Sequence, residues 1–150
     1  MFATLTNNPN SLAIKADLDN LGKVRDFIEA GVQAYGLTSE RGGELLLAVD
    51  EAVSNIIMHG FKTVTGDIEI EIAPDPAQDT AALLVRIRDN APLFDPTKGF
   101  DPHLEISPLE RDAPGGFGVY LINHLVDKIA YCVTDDGRNE LTVLKRKTAA

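Results

Sequence analysis

The chain has 150 residues, 44% of them hydrophobic and 25% charged, enough for one domain with a buried core and no need of disulfides or metal to fold. No apolar run approaches the roughly 18–20 residues of a spanning helix, so a membrane protein is excluded. A formal net charge of −9 with no basic run argues against nucleic acid and turns attention to proteins and small molecules as partners. The start has neither a basic n-region nor an apolar h-region, and the single cysteine, Cys132, cannot form an internal disulfide. A cytoplasmic location with a buried structural thiol is therefore expected.

Around Asn7-Asn8-Pro9-Asn10 the opening alternates weakly (Phe2, Leu5, then Leu12, Ile14), predicting two short strands or a strand and a turn. From about Asp17, Leu18, Leu21, Val24, Ile28, Val32 and Tyr35 recur at three and four residues, which predicts a helix stopping at Gly36. Thr38 or Ser39 can cap a second helix running to about Gly60. There Leu45, Val49, Ala52, Val53, Ile56 and Ile57 form one apolar stripe, with Glu44, Glu51 and Asn55 opposite and His59 at the margin.

Asp67–Ala73 alternates Ile68, Ile70 and Ile72 against acidic residues, and Ala82–Arg88 places Leu83, Val85 and Ile87 on one face, so both read as half-buried strands. Asn90 to Gly116 carries five prolines and reads as a long functional loop. A third helix is predicted from about Gly118 to Lys128. A hairpin then pairs Ile129–Thr134 with Glu140–Arg146 around Asp135-Asp136-Gly137-Arg138. No repeat or linker divides residues 1–150, which read as a single α+β domain, a two-layer sandwich with helices on one face of a mainly antiparallel sheet.

Three segments carry chemistry. Glu51-x-x-x-Asn55, with His59 one turn on, places a carboxylate, an amide and an imidazole along a helix ridge at about 6 Å spacing. A carboxylate can take the proton of an attacking hydroxyl, and an amide oxygen suits Mg²⁺. The same spacing also fits a plain solvated helix face. Asp89, opening Asp89-Asn90-Ala91-Pro92-Leu93-Phe94-Asp95 at a strand end, can accept a hydrogen bond from an exocyclic amine such as the N6 of adenine. A strand-ending turn would use similar residues. Gly115-Gly116-Phe117-Gly118 at a helix start lets backbone N–H groups approach phosphate, with Arg111 upstream adding positive charge. A flexible loop-to-helix junction is the other reading, and the Lys-Ser/Thr ending of a P-loop is missing.

Together and in this order, the segments resemble the GHKL ATPase superfamily, and within it the small serine kinases that act as anti-sigma factors. Ala48 through Gly60 is similar to their N box, Val85 through Pro96 to their first glycine box, and Gly115 through Ile122 to their second. Asp127, Tyr131 and Asn139 through Lys145 fit the same family's ending. The resemblance implies the Bergerat sandwich, ATP and Mg²⁺ as cofactors, Glu51 as general base and Asn55 as the Mg²⁺ ligand. It implies that Asp89 holds the adenine amine and that Gly116 and Gly118 amides meet the phosphates under a lid from about Thr97 to Gly116. His59, Ala91, Phe94, Arg111, Gly115 and Phe117 complete the candidate nucleotide-binding set. Ala91, Pro92 and Leu93 depart from the family, whose first box has glycines after its aspartate.

The activity implied is ATP-dependent serine/threonine protein phosphorylation of a STAS-domain anti-anti-sigma protein. A sigma factor or other regulated protein would be sequestered in turn, and homodimers are common in the family. A module binding ATP only as a structural ligand is the alternative, favoured by the changes at Ala91–Leu93. The catalytic half of a split histidine kinase is a third reading, disfavoured because none of His59, His103 and His124 lies in a phosphoacceptor segment.

Overall fold

The computed structural model describes residues 10–61, 66–75, 82–98 and 116–148, with no side chains for 116–119. Strand β1, Ser11–Lys15, leads into a 3₁₀ turn at Leu18–Asn20, where the Asp17 carboxylate accepts the Asp19 N–H at 2.9 Å. Helix α1 spans Leu21–Tyr35 and buries Val24, Ile28 and Val32. It stops at Gly36, whose φ of 77° is left-handed backbone that glycine adopts without a Cβ penalty. The predicted helix thus starts four residues after Asp17, because the Asp17 side chain shapes a tighter first turn.

Helix α2, Ser39–Asn55, is capped by the Thr38 hydroxyl, which accepts the Arg41 N–H at 3.2 Å. It continues to Gly60 as expected, but Ile56–Gly60 is a π-helical turn closed by Phe61 N–H on Ile56 O at 3.2 Å. Of the expected stripe, Leu45, Val49, Ala52, Val53 and Ile57 are buried and Ile56 is half-buried. Gly42 lets the first two helices close up: a Cβ there would lie 2.3 Å from Val32 Cγ1.

Strands β2 (Asp67–Pro74), β3 (Ala82–Asp89), β4 (Lys128–Val133) and β5 (Asn139–Arg146) join β1 in one sheet of order β1-β2-β3-β5-β4. Every pairing among the described residues is antiparallel. Period-two alternation turns Ile14, Ile68, Ile70, Ile72, Leu83, Val85, Ile87, Leu141 and Val143 toward the helices, where they share one core with α1 and α2. Helix α3, Gly116–Leu125, adds Ile122 to that core, and Val126 follows it. It starts two residues before the expected Gly118 and ends before Lys128, which β4 takes up opposite Leu144.

The other face of the sheet is charged. Arg88 reaches Glu140 at 2.7 Å and Glu69 at 3.1 Å, and Arg86 reaches Glu71 at 3.0 Å. Cys132 stands on this face and is exposed, which corrects the expectation of a buried thiol. The alternation of β4 carries Tyr131, not Cys132, toward the core. The sandwich has helices on one face, as expected.

Candidate nucleotide site

The register of the sheet delivers Asp89 to the helix side. Asp89 pairs with Ile68 on β2 and with Asn139 on β5, so it continues the row Ile14–Ile68 at the end of the apolar face. Its side chain is 4% exposed. A carboxylate there must be hydrogen-bonded. Oδ1 accepts Asn139 Nδ2 at 2.9 Å and the Ala91 N–H at 3.0 Å. Burial pushes the Asp89 carboxyl above its ordinary 3.8, with these two bonds acting against the rise. Both bonds fall on Oδ1.

The second helix reaches the same place from the other side. A Cβ on Gly60 would lie 3.3 Å from the Ala91 Cβ, so the end of the π turn abuts the residue two after Asp89. Ala91 is 6% exposed, and its methyl packs against Gly60. The fold thereby brings the Gly60 end of the second helix beside the turn that follows Asp89. Glu51 and Asn55 are half-buried and His59 is exposed. Glu51 and Asn55 keep α-helical spacing, whereas Asn55 to His59 crosses into the π turn. His59 therefore leaves the ridge expected from an unbroken α-helix, since i-to-i+5 closure changes the angular step.

After Ala91 the chain turns outward, and Phe94 is 65% exposed. Its N–H donates to Asn139 Oδ1 at 3.0 Å. Asp95 then folds Thr97 over itself, accepting the Thr97 N–H at 2.8 Å and hydroxyl at 2.5 Å. Helix α3 opens at Gly116, so Gly116, Phe117 and Gly118 form its first turn. Arg111, Gly115 and residues 99–115 of the expected lid lie outside the described residues.

The far end of α3 is anchored. Lys145, buried on the helix face of β5, donates to Leu125 O and pairs with Glu44 at 3.3 Å. Arg41 holds Asp127 at 2.9 Å and reaches Arg146 O at 2.7 Å. Helix α3 is thus fastened at its C-terminus, where cations suit the carbonyl ends.

Two residues with no role in the motif reading converge here. Asn139 gives its amide hydrogens to Asp89 Oδ1, Ala91 O at 3.2 Å and Pro92 O at 3.3 Å. Its Oδ1 accepts Phe94 N–H and the Tyr131 hydroxyl, the latter at 2.5 Å. Burial first, and then the Asp95 and Asp89 charges, push the Tyr131 phenol up, so it remains a donor. The available signal was parity: Asn139, Leu141, Val143 and Lys145 alternate on the apolar face of β5, and an amide there needs partners.

Among the described residues no group of three or more His, Cys, Asp or Glu stands together to hold a metal, and no helix is long and apolar enough to cross a membrane.

Residues 14–145 match the sequence profile of the histidine kinase-like ATPase domain. The chain is 34% identical over 99 residues to the serine/threonine-protein kinase BtrW of Bordetella bronchiseptica, covering 66% of each chain. It is 31% identical over 139 residues to the serine-protein kinase RsbW of Bacillus cereus, covering 91% of this chain and 82% of that one. With RsbW of Bacillus licheniformis it shares 27% over 111 residues, 73% of this chain and 68% of the relative.

Proposed function

The chain belongs to the histidine kinase-like ATPase family, and from that premise we propose that it is an ATP-dependent serine/threonine protein kinase working as a partner-switching regulator. The observation that carries the reading is the buried Asp89 carboxylate, with Oδ1 tied to Asn139 and Ala91, at the strand end where the Gly60 turn arrives. A buried carboxylate with one oxygen unbonded among the described residues reads an exocyclic amine and rejects a carbonyl, which selects a 6-amino over a 6-oxo purine.

Asp89 Oδ2 accepts the N6 amine, and Phe94 flanks the base at the mouth. The N–H groups of Gly116 and Gly118 receive the phosphates, with Gly115 and Arg111 assigned to the same end from the sequence. Asn55 Oδ1 is the protein ligand for Mg²⁺, which when bound offsets charge between the phosphates. His59 borders that end. Glu51 takes the proton as the substrate hydroxyl oxygen bonds to the γ-phosphorus, and the bond to the β–γ bridging oxygen breaks to release ADP.

The substrate class is a STAS-domain antagonist protein. Phosphorylation adds about two negative charges to its docking surface and expels it. The released kinase then sequesters a sigma factor or another regulated protein on an overlapping surface. RsbW and BtrW carry the kinase name, which supports this reading of the activity.

Incubating the protein with Mg-ATP and a panel of STAS-domain proteins, and following phosphoserine or phosphothreonine by mass spectrometry, tests the transfer. Modification of at least one of them by the wild type and by no Glu51→Ala sample is expected. Tight ATP binding with no transfer to any of them would instead favour a module that uses ATP as a structural ligand.

A further inference from the structure

We propose that Asn139 is a positioning residue for base selection: its side-chain amide fixes the Asp89 carboxylate so that Oδ2 faces the nucleotide, and pins the 91–94 turn around it. This rests on the reading of Asp89 as the amine acceptor. It gives Asn139, placed by the sequence only within the segment that fits the family's ending, a specific role and a mechanism.

The side-chain amide of Asn139 points one way only. Nδ2 faces three oxygens, on Asp89, Ala91 and Pro92, at 2.9, 3.2 and 3.3 Å. Oδ1 faces two donors, the Phe94 N–H and the Tyr131 hydroxyl. A flipped amide would set an acceptor against three acceptors and a donor against the fixed Phe94 N–H, so the network admits one orientation. Asn139 is 7% exposed, which makes each unpaired polar atom there costly.

Next comes what that orientation does to Asp89. A free carboxylate can rotate about χ2 and present either oxygen or its edge. Here the Asn139 N–H and the Ala91 N–H both seize Oδ1, so rotation would break two bonds in a buried site. The oxygen left over is thereby aimed, before any ligand arrives. The Ala91 N–H alone comes from the turn that Asn139 itself holds through Ala91 O and Pro92 O. Removing the amide therefore loosens both restraints together.

Among the described residues, the groups that face this site are Asp89 on β3, Tyr131 on β4 and Asp95 in the following turn, whose charge acts on Tyr131. A second carboxylate at position 139 would meet two acids and several carbonyl oxygens. Asn139→Asp keeps the volume and removes the donor, so the introduced carboxylate and that of Asp89 would share a proton on acidification.

The test is binding of Mg-ATP and Mg-ITP, which differ by the 6-amine against a 6-oxo group, to the full chain by calorimetry at pH 8 and pH 5.5. Wild type is expected to prefer ATP. Asn139→Asp is expected to weaken ATP by about tenfold or more at pH 8 and to erase the ATP-over-ITP preference, as loss of a charge-assisted bond predicts. Acidification should then tighten its ATP binding, because a protonated acid at 139 can again donate to Asp89 Oδ1. Wild type should not tighten over the same range.

A merely structural role would weaken ATP and ITP alike and leave the pH trend of the wild type in place, and that result overturns the proposal. Should Asn139→Asp fail to fold, Tyr131→Phe removes one donor from Asn139 Oδ1 and keeps the amide. A reduced ATP-over-ITP ratio supports the proposal, and an unchanged ratio overturns it. Failure of wild type to bind ATP overturns the site reading itself. ATP binding that is lost in Asp89→Asn but unchanged in Asn139→Asp overturns this inference alone.

Discussion

The Cβ position of Gly60 lies 3.3 Å from the methyl of Ala91, so the end of the second helix and the turn after β3 meet at a single pair of small residues. Gly60→Ala is therefore expected to cost on the order of 1 kcal/mol, offset in an Ala91→Gly background, where the next neighbour is Ile56 Cγ2 at an ordinary 3.7 Å. Urea denaturation of the four proteins in a double-mutant cycle measures that coupling. Additive effects would contradict the contact.

Arg88 binds Glu140 at 2.7 Å, Glu69 at 3.1 Å and Glu71 at 3.4 Å on the charged face of the sheet. Arg88→Met leaves three half-buried carboxylates without their shared cation, and a loss of about 1–3 kcal/mol follows at pH 7, discounted for solvent screening. Chemical denaturation at moderate salt reads the difference.

The same pair sets an acid limb. Burial pushes the Glu140 carboxyl up, but the Arg88 bond, the Cys132 thiol and the arginine charges bring it below its ordinary 4.5. A depressed carboxyl contributes stability that is present above the unfolded value and lost as pH falls through the folded one. Wild-type stability should fall on acidification below about pH 4.5, and Arg88→Met should show a shallower fall there. Melting temperatures from pH 7 to pH 3 provide the comparison.

Lys145 is a buried cation outside the proposed chemistry. It fastens Leu125 O, at the end of α3, to Glu44 of α2. Lys145→Met preserves shape but leaves that carbonyl without its donor, and a cost of about 1–3 kcal/mol is expected. Hydrogen exchange should show reduced protection in the last turn of α3 before that of β5.

Much of this fold was legible because burial imposes period. Ile68, Ile70 and Ile72 announced β2, and Leu45, Val49 and Val53 announced the buried face of α2, since each pattern fits one backbone only. The π turn at Ile56–Gly60 was not legible, because its apolar residues satisfy an α-helical stripe equally well. The roles of Asn139 and Tyr131, residues placed only in the family's ending, escaped for a different reason. Their partners lie across strands, and only the register Asp89↔Asn139 and the hairpin pairing reveal them. Cys132 was misjudged because apolar neighbours in sequence point to the opposite face of a strand.

The most direct test of the account is a calorimetric titration of the full chain with Mg-ATP beside Asp89→Asn. In that variant the amide keeps Oδ1 toward Asn139 and Ala91, and its NH₂ takes the place of Oδ2, setting donor against the adenine amine. Because an amide avoids burying a charge, the variant should melt no lower than wild type at pH 7. ATP affinity should nonetheless fall by about 10- to 100-fold, the loss of a buried hydrogen bond to a charged group. Equal ATP binding by wild type and Asp89→Asn, both folded, would contradict the assignment of Asp89 and with it the nucleotide site described above.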